Sequence, residues 1–420
     1  MGSDQLGFAD MTENQRQHAL DLNHSYSPLN IEVVTETYPP EINGVAHTIS
    51  MLVGELRKNN HLVNVIRPKQ PSDLTQPQIQ KSHQDLLVKS CPIPLYRELR
   101  MGRPAKKMLL DRWSKTKPDV VHIATEGPLG WSAARAARLL NIPVTSDFRT
   151  NFHAYSTFYK LGFLEPLIMA YLRHFHNATD CTMVPTEKLK KELELAGLNN
   201  LRVMPRGVDT AHFSDKFRSP QLRASWGADP LDVVLLSVGR LAVEKNLDLL
   251  IKSYINAKSI EPRTKLVVVG DGPLKETLQK ICPEAIFAGK KSGLELAEYY
   301  ASADIFVFPS LTETFGNVTI EAMASGLAVV AYRHAAAGDL IVSGNNGITV
   351  DPSDENAFVQ AVMTTLINQS LIRRLGFAAI ATAKQQSWDE IVRRTECIWR
   401  EILLQKKETQ QCHDNFIIPT

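Results

Sequence analysis

The sequence has no apolar run near the roughly 20 residues that a bilayer-crossing helix requires, so no segment is expected to span a membrane. Cysteine is scarce and scattered: Cys91, Cys181, Cys282, Cys397 and Cys412 form neither a Cys-x-x-Cys pair nor any metal-ligand spacing. That usage fits reduced thiols in a cytoplasmic protein, and no disulfide is expected. Charge of neither sign dominates. The 47 Lys and Arg against 45 Asp and Glu leave a formal net charge of +2, which argues against a dedicated nucleic-acid binder. There are no repeats or low-complexity tracts. A dinucleotide fingerprint is incomplete, because Lys275 stands where Gly270-Asp271-Gly272 would need a third small residue, and this disfavours a nicotinamide-dependent dehydrogenase. Residues 1–28 are polar and lack the apolar core of a secretory signal. They read as a disordered leader, with Met11 a second candidate start. Residues 405–420 read as a frayed polar tail.

What is present is a hydrophobic content of 44% and a charged content of 22% over 420 residues, enough for two domains with a core each. Strand patterns at 31–37, 62–69, 119–125, 143–148, 181–186 and 201–205 alternate with helical ones at 45–58, 131–140 and 163–176. A second series runs through 232–239, 265–270, 285–289, 304–308, 328–332 and 347–350, with helices at 247–257, 355–366 and 388–404. Alternation of this kind predicts an α/β chain of parallel βαβ units in doubly wound sheets. The expected domains are 29–205 and 206–380, followed by a helical segment at 381–404.

One stretch concentrates the chemistry. Phe306 to Gly326 continues the buried strand at 304–308 into a polar loop begun by Pro309-Ser310. Gly316 then opens a helix with apolar positions Val318, Ile320, Met323 and Ala324. The amides of Phe315, Gly316 and Asn317 are expected at that helix end, where unsatisfied N–H groups attract anions. Glu313 in the loop and Glu321 on the helix frame it. A carboxylate is a poor partner for phosphate and a good acceptor for paired sugar hydroxyls, so the combination suggests a nucleotide sugar. The alternative is an ordinary βα unit with surface glutamates. Arg240 and Lys245 bracket the loop after the strand at 232–239, and two positioned cations can stabilise a departing diphosphate without metal. Solvated surface charges are the alternative there. Gly44, just before a helical pattern, would allow close backbone approach to a phosphate or sugar, or is simply a turn glycine.

Glu313-x7-Glu321, Asn43-Gly44-Val45 and Gly239-Arg240-x4-Lys245-Asn246 together resemble the signatures of the retaining GT-B glycosyltransferases of glycosyltransferase family 4, over about residues 31–403. The resemblance implies a GT-B fold, two Rossmann-like domains facing a central cleft, with the segment 381–404 crossing back to the first. It implies transfer of a mannose- or glucose-type hexose from a nucleoside-diphosphate sugar, GDP-mannose or a UDP-hexose, to a hydroxyl acceptor such as a glycolipid or cell-envelope saccharide. Gly44, Arg240 and Lys245 would then lie at the donor diphosphate. Glu321 would accept from the ribose, and Glu313 with the amides of Phe315, Gly316 and Asn317 would hold the hexose. The donor region has no Asp-x-Asp motif, so no metal or other cofactor is expected.

Two features qualify that reading. Asp147 to Tyr155 resembles a His-containing acceptor-side motif, with His153 as a candidate, but Arg149 stands where related sequences carry histidine near the transferred sugar. Arginine stays charged and only donates. Arg149 is therefore either a working donor beside the reacting sugar or the mark of a non-catalytic nucleotide-sugar-binding protein with a degenerate acceptor side. The basic stretch 97–117 carries Leu99, Met101, Met108, Leu109, Leu110 and Trp113 among its cations. It reads either as an amphipathic contact with an anionic membrane, on the cytoplasmic face of the inner membrane, or as a solvated helix limited by Pro104 and covering the sheet.

Overall fold

The structure, a computed structural model, describes residues 27–41, 43–74, 85–93, 96–149 and 165–416. His153 lies outside them. The strands are mostly short apolar runs, and those of the two parallel sheets are largely buried on both faces. In the first half these are β1 (Asn30–Val34), β2 (Leu62–Pro68), β3 (Leu86–Val88), β4 (Ser90–Ile93), β5 (Tyr96–Gly102), β6 (Val120–Ile123), β7 (Val144–Asp147), β8 (Cys181–Val184) and β9 (Leu201–Val203). Seven of them form one sheet in the order β3-β2-β1-β6-β7-β8-β9, and β4 pairs with β5 as an antiparallel hairpin. The second half supplies β10 (Val234–Val238), β11 (Lys265–Val269), β12 (Ile286–Gly289), β13 (Ile305–Phe308), β14 (Ala328–Tyr332) and β15 (Ile348–Val350). These form a parallel sheet in the order β12-β11-β10-β13-β14-β15.

In each sheet the strand order reverses once, between β1 and β6 and between β10 and β13. The loops leaving the carboxyl ends of such neighbours diverge, and open α/β sheets bind ligands in the crevice this creates. The described residues group into two compact units, one from those within 27–148, 174–183 and 392–416 and the other from 149, 165–173 and 184–391.

Six of the helices carry or support the residues singled out above: α1 (Gly44–Lys58), α2 (Lys106–Thr116), α3 (Leu247–Ile260), α4 (Asn317–Ala324), α5 (Ala335–Leu340) and α6 (Trp388–Phe416). In the first unit, α6 buries Trp399 completely, and its indole Nε1 donates to Thr145 Oγ1 on β7 at 3.1 Å. The helix runs to Phe416, so residues 405–416 are helical rather than the frayed tail their polarity suggests. Lys406 contributes a reason: its ammonium meets the Asp180 carboxylate at 2.8 Å and donates to the Ile142 carbonyl at 3.3 Å. The basic stretch likewise departs from a single amphipathic segment. It is the strand β5 followed by α2, which begins just after Pro104, and Leu109 and Trp113 are fully buried in the core of the first unit. Among the described residues no helix is long and apolar enough to cross a membrane. Cys91, Cys181, Cys282 and Cys397 are free thiols.

Candidate functional site

The second sheet's switch point gathers the residues that the sequence singles out. The loop after β13 is tied to the loop after β10 by main-chain bonding, the Leu311 amide donating to the Glu244 carbonyl at 3.1 Å. This brings Lys245 to Glu313 as an ion pair through Oε1, the oxygen to which Ser310 Oγ also donates at 2.8 Å. The Lys245 ammonium lies 5.5 Å from the centre of the Phe308 ring, which adds a cation–π attraction. Side-chain exposures of 17% for Lys245 and 16% for Glu313 leave both within reach of a ligand. The Glu313 amide donates to His334 Nε2 at 3.3 Å, so that nitrogen carries no proton. Burial, helped by the charge of Lys188, pushes the His334 pKa down and keeps the ring neutral.

Gly316 precedes α4 in the left-handed region, φ 86° and ψ 66°, a conformation other residues adopt only with strain. It brings no capping side chain, so the helix start lacks a side-chain cap. Phe315 has a double structural role: its ring is buried in the core, and its carbonyl accepts from the Ala336 amide at 2.8 Å. Asn317 is the first residue of α4. Glu321, one turn on, has a different partner. Tyr300, wholly buried, donates its hydroxyl to Glu321 Oε2 at 2.9 Å. Burial of the carboxyl raises its pKa to about 7, and the tyrosine bond acts in the opposite direction.

Arg240 and Lys245 are placed unequally. Lys245 is engaged with Glu313, whereas Arg240 is exposed on the same loop. That loop rests on the one after β11: the Leu241 amide donates to the Asp271 carbonyl and the Leu274 amide to the Leu241 carbonyl, both at 3.0 Å. A Cβ on Gly270 would fall 1.8 Å from the Gly239 carbonyl oxygen, and one on Gly272 2.4 Å from that of Leu241. The Gly-Asp-Gly run thus exists for close loop packing under Arg240, which accounts for its incomplete resemblance to a dinucleotide fingerprint.

In the first unit, Gly44 is the opening residue of α1 rather than part of the preceding loop, with Asn43 Oδ1 accepting from the Ala46 amide at 2.8 Å. A Cβ at Gly44 would meet nothing within 4 Å, so the fold itself does not demand glycine there. Arg149, which groups with the second unit, is buried two residues past the end of β7. Ser310, His334 and Tyr300 are not singled out by the sequence. Ser310 follows the strand-ending proline and could have been noticed; the other two are brought in by tertiary packing.

The family model described as "Glycosyltransferase Family 4" matches residues 42–212, and that described as "Glycosyl transferases group 1" matches residues 232–368. A GDP-mannose-dependent alpha-mannosyltransferase of Mycolicibacterium smegmatis is 32% identical over 377 residues, 88% of this chain and 98% of its own. An alpha-monoglucosyldiacylglycerol synthase of Streptococcus pneumoniae is 30% identical over 74% of this chain and 73% of its own. Among solved structures, a sucrose-phosphate synthase of Thermosynechococcus elongatus superposes with a TM-score of 0.73 at 20% identity, covering 89% of this chain and 99% of that one. The two Rossmann-like sheets are those of the GT-B fold. The matches span both sheets and almost the whole length of the mannosyltransferase, and the chain belongs to the family 4 glycosyltransferases.

Proposed function

We propose that this protein is a retaining hexosyltransferase that moves a mannosyl group from GDP-mannose to a hydroxyl of a glycolipid or cell-envelope saccharide, working peripherally at a membrane surface. The observation that carries the reading is the Lys245–Glu313–Ser310 cluster at the switch point of the second sheet. The donor sugar is supported by relatives named GDP-mannose-dependent alpha-mannosyltransferases, and the lipid acceptor by a relative named for glucosyldiacylglycerol synthesis.

The ion pair matches two charges that both keep some exposure to solvent, so its exchange for a ligand costs little. Donor binding exchanges these partners. The diphosphate takes Lys245, with Arg240 and the start of α4 adding positive charge, and the hexose hydroxyls take Glu313. Glu321 accepts from the ribose hydroxyls, and Gly44 lets main chain approach the phosphates closely. The acceptor oxygen attacks the anomeric carbon on the face that the phosphate leaves. The bond from that carbon to the phosphate oxygen breaks, and the acceptor proton passes to the departing phosphate. Arg149 donates to a sugar hydroxyl or to the leaving phosphate, a role open to a permanent cation.

The test is binding of GDP-mannose and UDP-glucose to the purified protein, followed by assay of free hexose released from each. Slow release of α-mannose from GDP-mannose alone is the expected result. Tight binding without release, restored by Arg149→His, would replace the enzyme with a nucleotide-sugar-binding protein. Failure to bind either donor would overturn both readings.

A further inference from the structure

The basic stretch 97–117 contributes to a feature that donor binding leaves unused. A cavity of about 480 Å³ opens where β2 and β3 end, lined by Lys69, Lys89, Arg100 and Arg103 together with Gln70, Pro71 and Ser90, the cations' aliphatic stems and the proline giving it apolar walls. No carboxylate lines it among the described residues. It is a built site. Ser90 Oγ donates to the Lys69 carbonyl at 2.6 Å, Arg100 Nε donates to Ser90 Oγ at 2.7 Å, and the Arg103 amide donates to the Lys89 carbonyl at 2.8 Å. These bonds fix β4 and β5 against the end of β2 and orient the Arg100 fork.

The neighbouring carboxylates are already taken. Arg67, two residues before Lys69, pairs with Asp73 at 2.8 Å and with Asp85 at 3.3 Å. None of the four lining cations forms a close ion pair with a carboxylate among the described residues, although the charge of Lys69 also acts on Asp73, which Arg67 holds. Four like charges around one cavity repel one another, and nothing among the described residues that line it offsets this, whereas an anion would. Two guanidinium forks suit the oxygens of a phosphate, and the volume admits more than a single ion. The cavity lies at strand carboxyl ends, where such sheets take ligands, and Gln70 bonds Glu41 in the loop that leads to Gly44.

We propose that this pocket binds the phosphate or phosphodiester group of the hydroxyl acceptor, so that the acceptor is an anionic, phosphate-bearing molecule. The inference rests on the hexosyltransferase reading. A lipid headgroup and a soluble sugar or polyol phosphate share this chemistry.

The test uses the full chain saturated with GDP, so that the donor site is closed to competing anions. Two probes are measured: glycerol 3-phosphate by calorimetry, and co-flotation with phosphatidylcholine vesicles with and without phosphatidylinositol. The variant is Lys89→Glu with Arg103→Glu, two exposed residues. The wild type should bind one of the probes, and the variant should bind it at least about tenfold more weakly while keeping its GDP affinity and melting temperature. Loss confined to the phosphatidylinositol vesicles identifies a lipid-borne phosphate; loss of glycerol 3-phosphate binding identifies a soluble one. Equal binding by variant and wild type, or binding of neither probe by a wild type that binds GDP, overturns the proposal. Failure of GDP itself to bind counts against the donor reading instead.

Discussion

The two sheets reverse strand order in the same manner, and each switch point carries a glutamate, but the two carboxylates are held in opposite ways. At the first, Glu36 accepts from the main-chain amides of Gly102 at 2.6 Å and Leu129 at 2.9 Å, while its own amide donates to Thr125 Oγ1 at 2.7 Å. A Cβ on Gly127 would sit 2.2 Å from a Glu36 carboxyl oxygen, so the main chain closes around this side chain. Burial pushes the Glu36 pKa up, against the two amide bonds. At the second, Glu313 is held by the side chains of Lys245 and Ser310. Main-chain donors cannot leave without unfolding a segment, whereas an ammonium and a hydroxyl can turn to a ligand. Glu36 therefore belongs to the fold, and Glu313 is free to exchange partners.

The largest expected effects separate these two roles. Glu313→Gln should lower kcat for mannosyl transfer by about 10²- to 10³-fold, the scale of losing one preorganised polar group at a reacting centre, and leave the denaturation midpoint almost unchanged. Glu36→Ala should do the reverse. Leaving the amides of Gly102 and Leu129 without their acceptor should cost about 1–3 kcal/mol of stability in a urea titration, with kcat per folded molecule retained. If Glu36→Ala abolished turnover in a protein of unchanged stability, the distinction between the two switch points would fail.

Much of this was legible in the sequence, for identifiable reasons. The strands stand out because Val, Ile and Leu runs such as Val234–Val238 are bounded by turn residues, and the loop before α4 stands out because Gly316 and the two glutamates are near one another in the chain. What was hidden depends on pairing over distance. Most of β5 lies in the stretch 97–117, whose mixture of cations and apolar residues resembles a helix face, and only its pairing with β4, Cys91 opposite Met101, shows it to be a strand. Tyr300 reaches Glu321 from another helix, and His334 reaches the Glu313 amide from the turn before α5. Neither has local spacing that marks it. The glycines at 270 and 272 carried a misleading signal, since close packing against the neighbouring loop selects the same residue type as phosphate approach.

Glu321 gives a smaller effect, with a sign set by its surroundings. Burial disfavours the charge of its carboxyl and raises the pKa to about 7. In the proposed donor complex ribose hydroxyls would donate to the ionised form, so the complex would hold fewer protons than the free protein. Donor affinity should then rise with pH up to about 7 and level off above it, with a slope approaching about tenfold per pH unit on the acid side. Glu321→Gln should flatten that slope and bind donor more weakly. A wild-type affinity that stayed constant from about pH 5 to about pH 7 would remove the ribose from Glu321.

The smallest effect expected is none. Chelation by EDTA should leave transfer unchanged if, as proposed, the second switch point itself supplies the charge needed at the departing diphosphate. Lys245 is within bonding reach of Glu313, Arg240 is exposed on the same loop, and α4 opens without a capping side chain, so two full cations and the positive end of a helix dipole are available to the phosphates. The first switch point has no such set among the described residues. Its glutamate is occupied by amides, and the cations that line the nearby cavity are assigned to the acceptor. The experiment also sharpens the comparison through Lys245→Met, which removes one full charge and leaves Glu313 without its cation. If the protein's own cations do this work, Lys245→Met should weaken donor binding at least about tenfold and added Mg²⁺ or Mn²⁺ should not restore it. Loss of activity with EDTA and its return with either ion would show that the second switch point recruits its charge from solution, and that Lys245 serves chiefly to hold Glu313 in place.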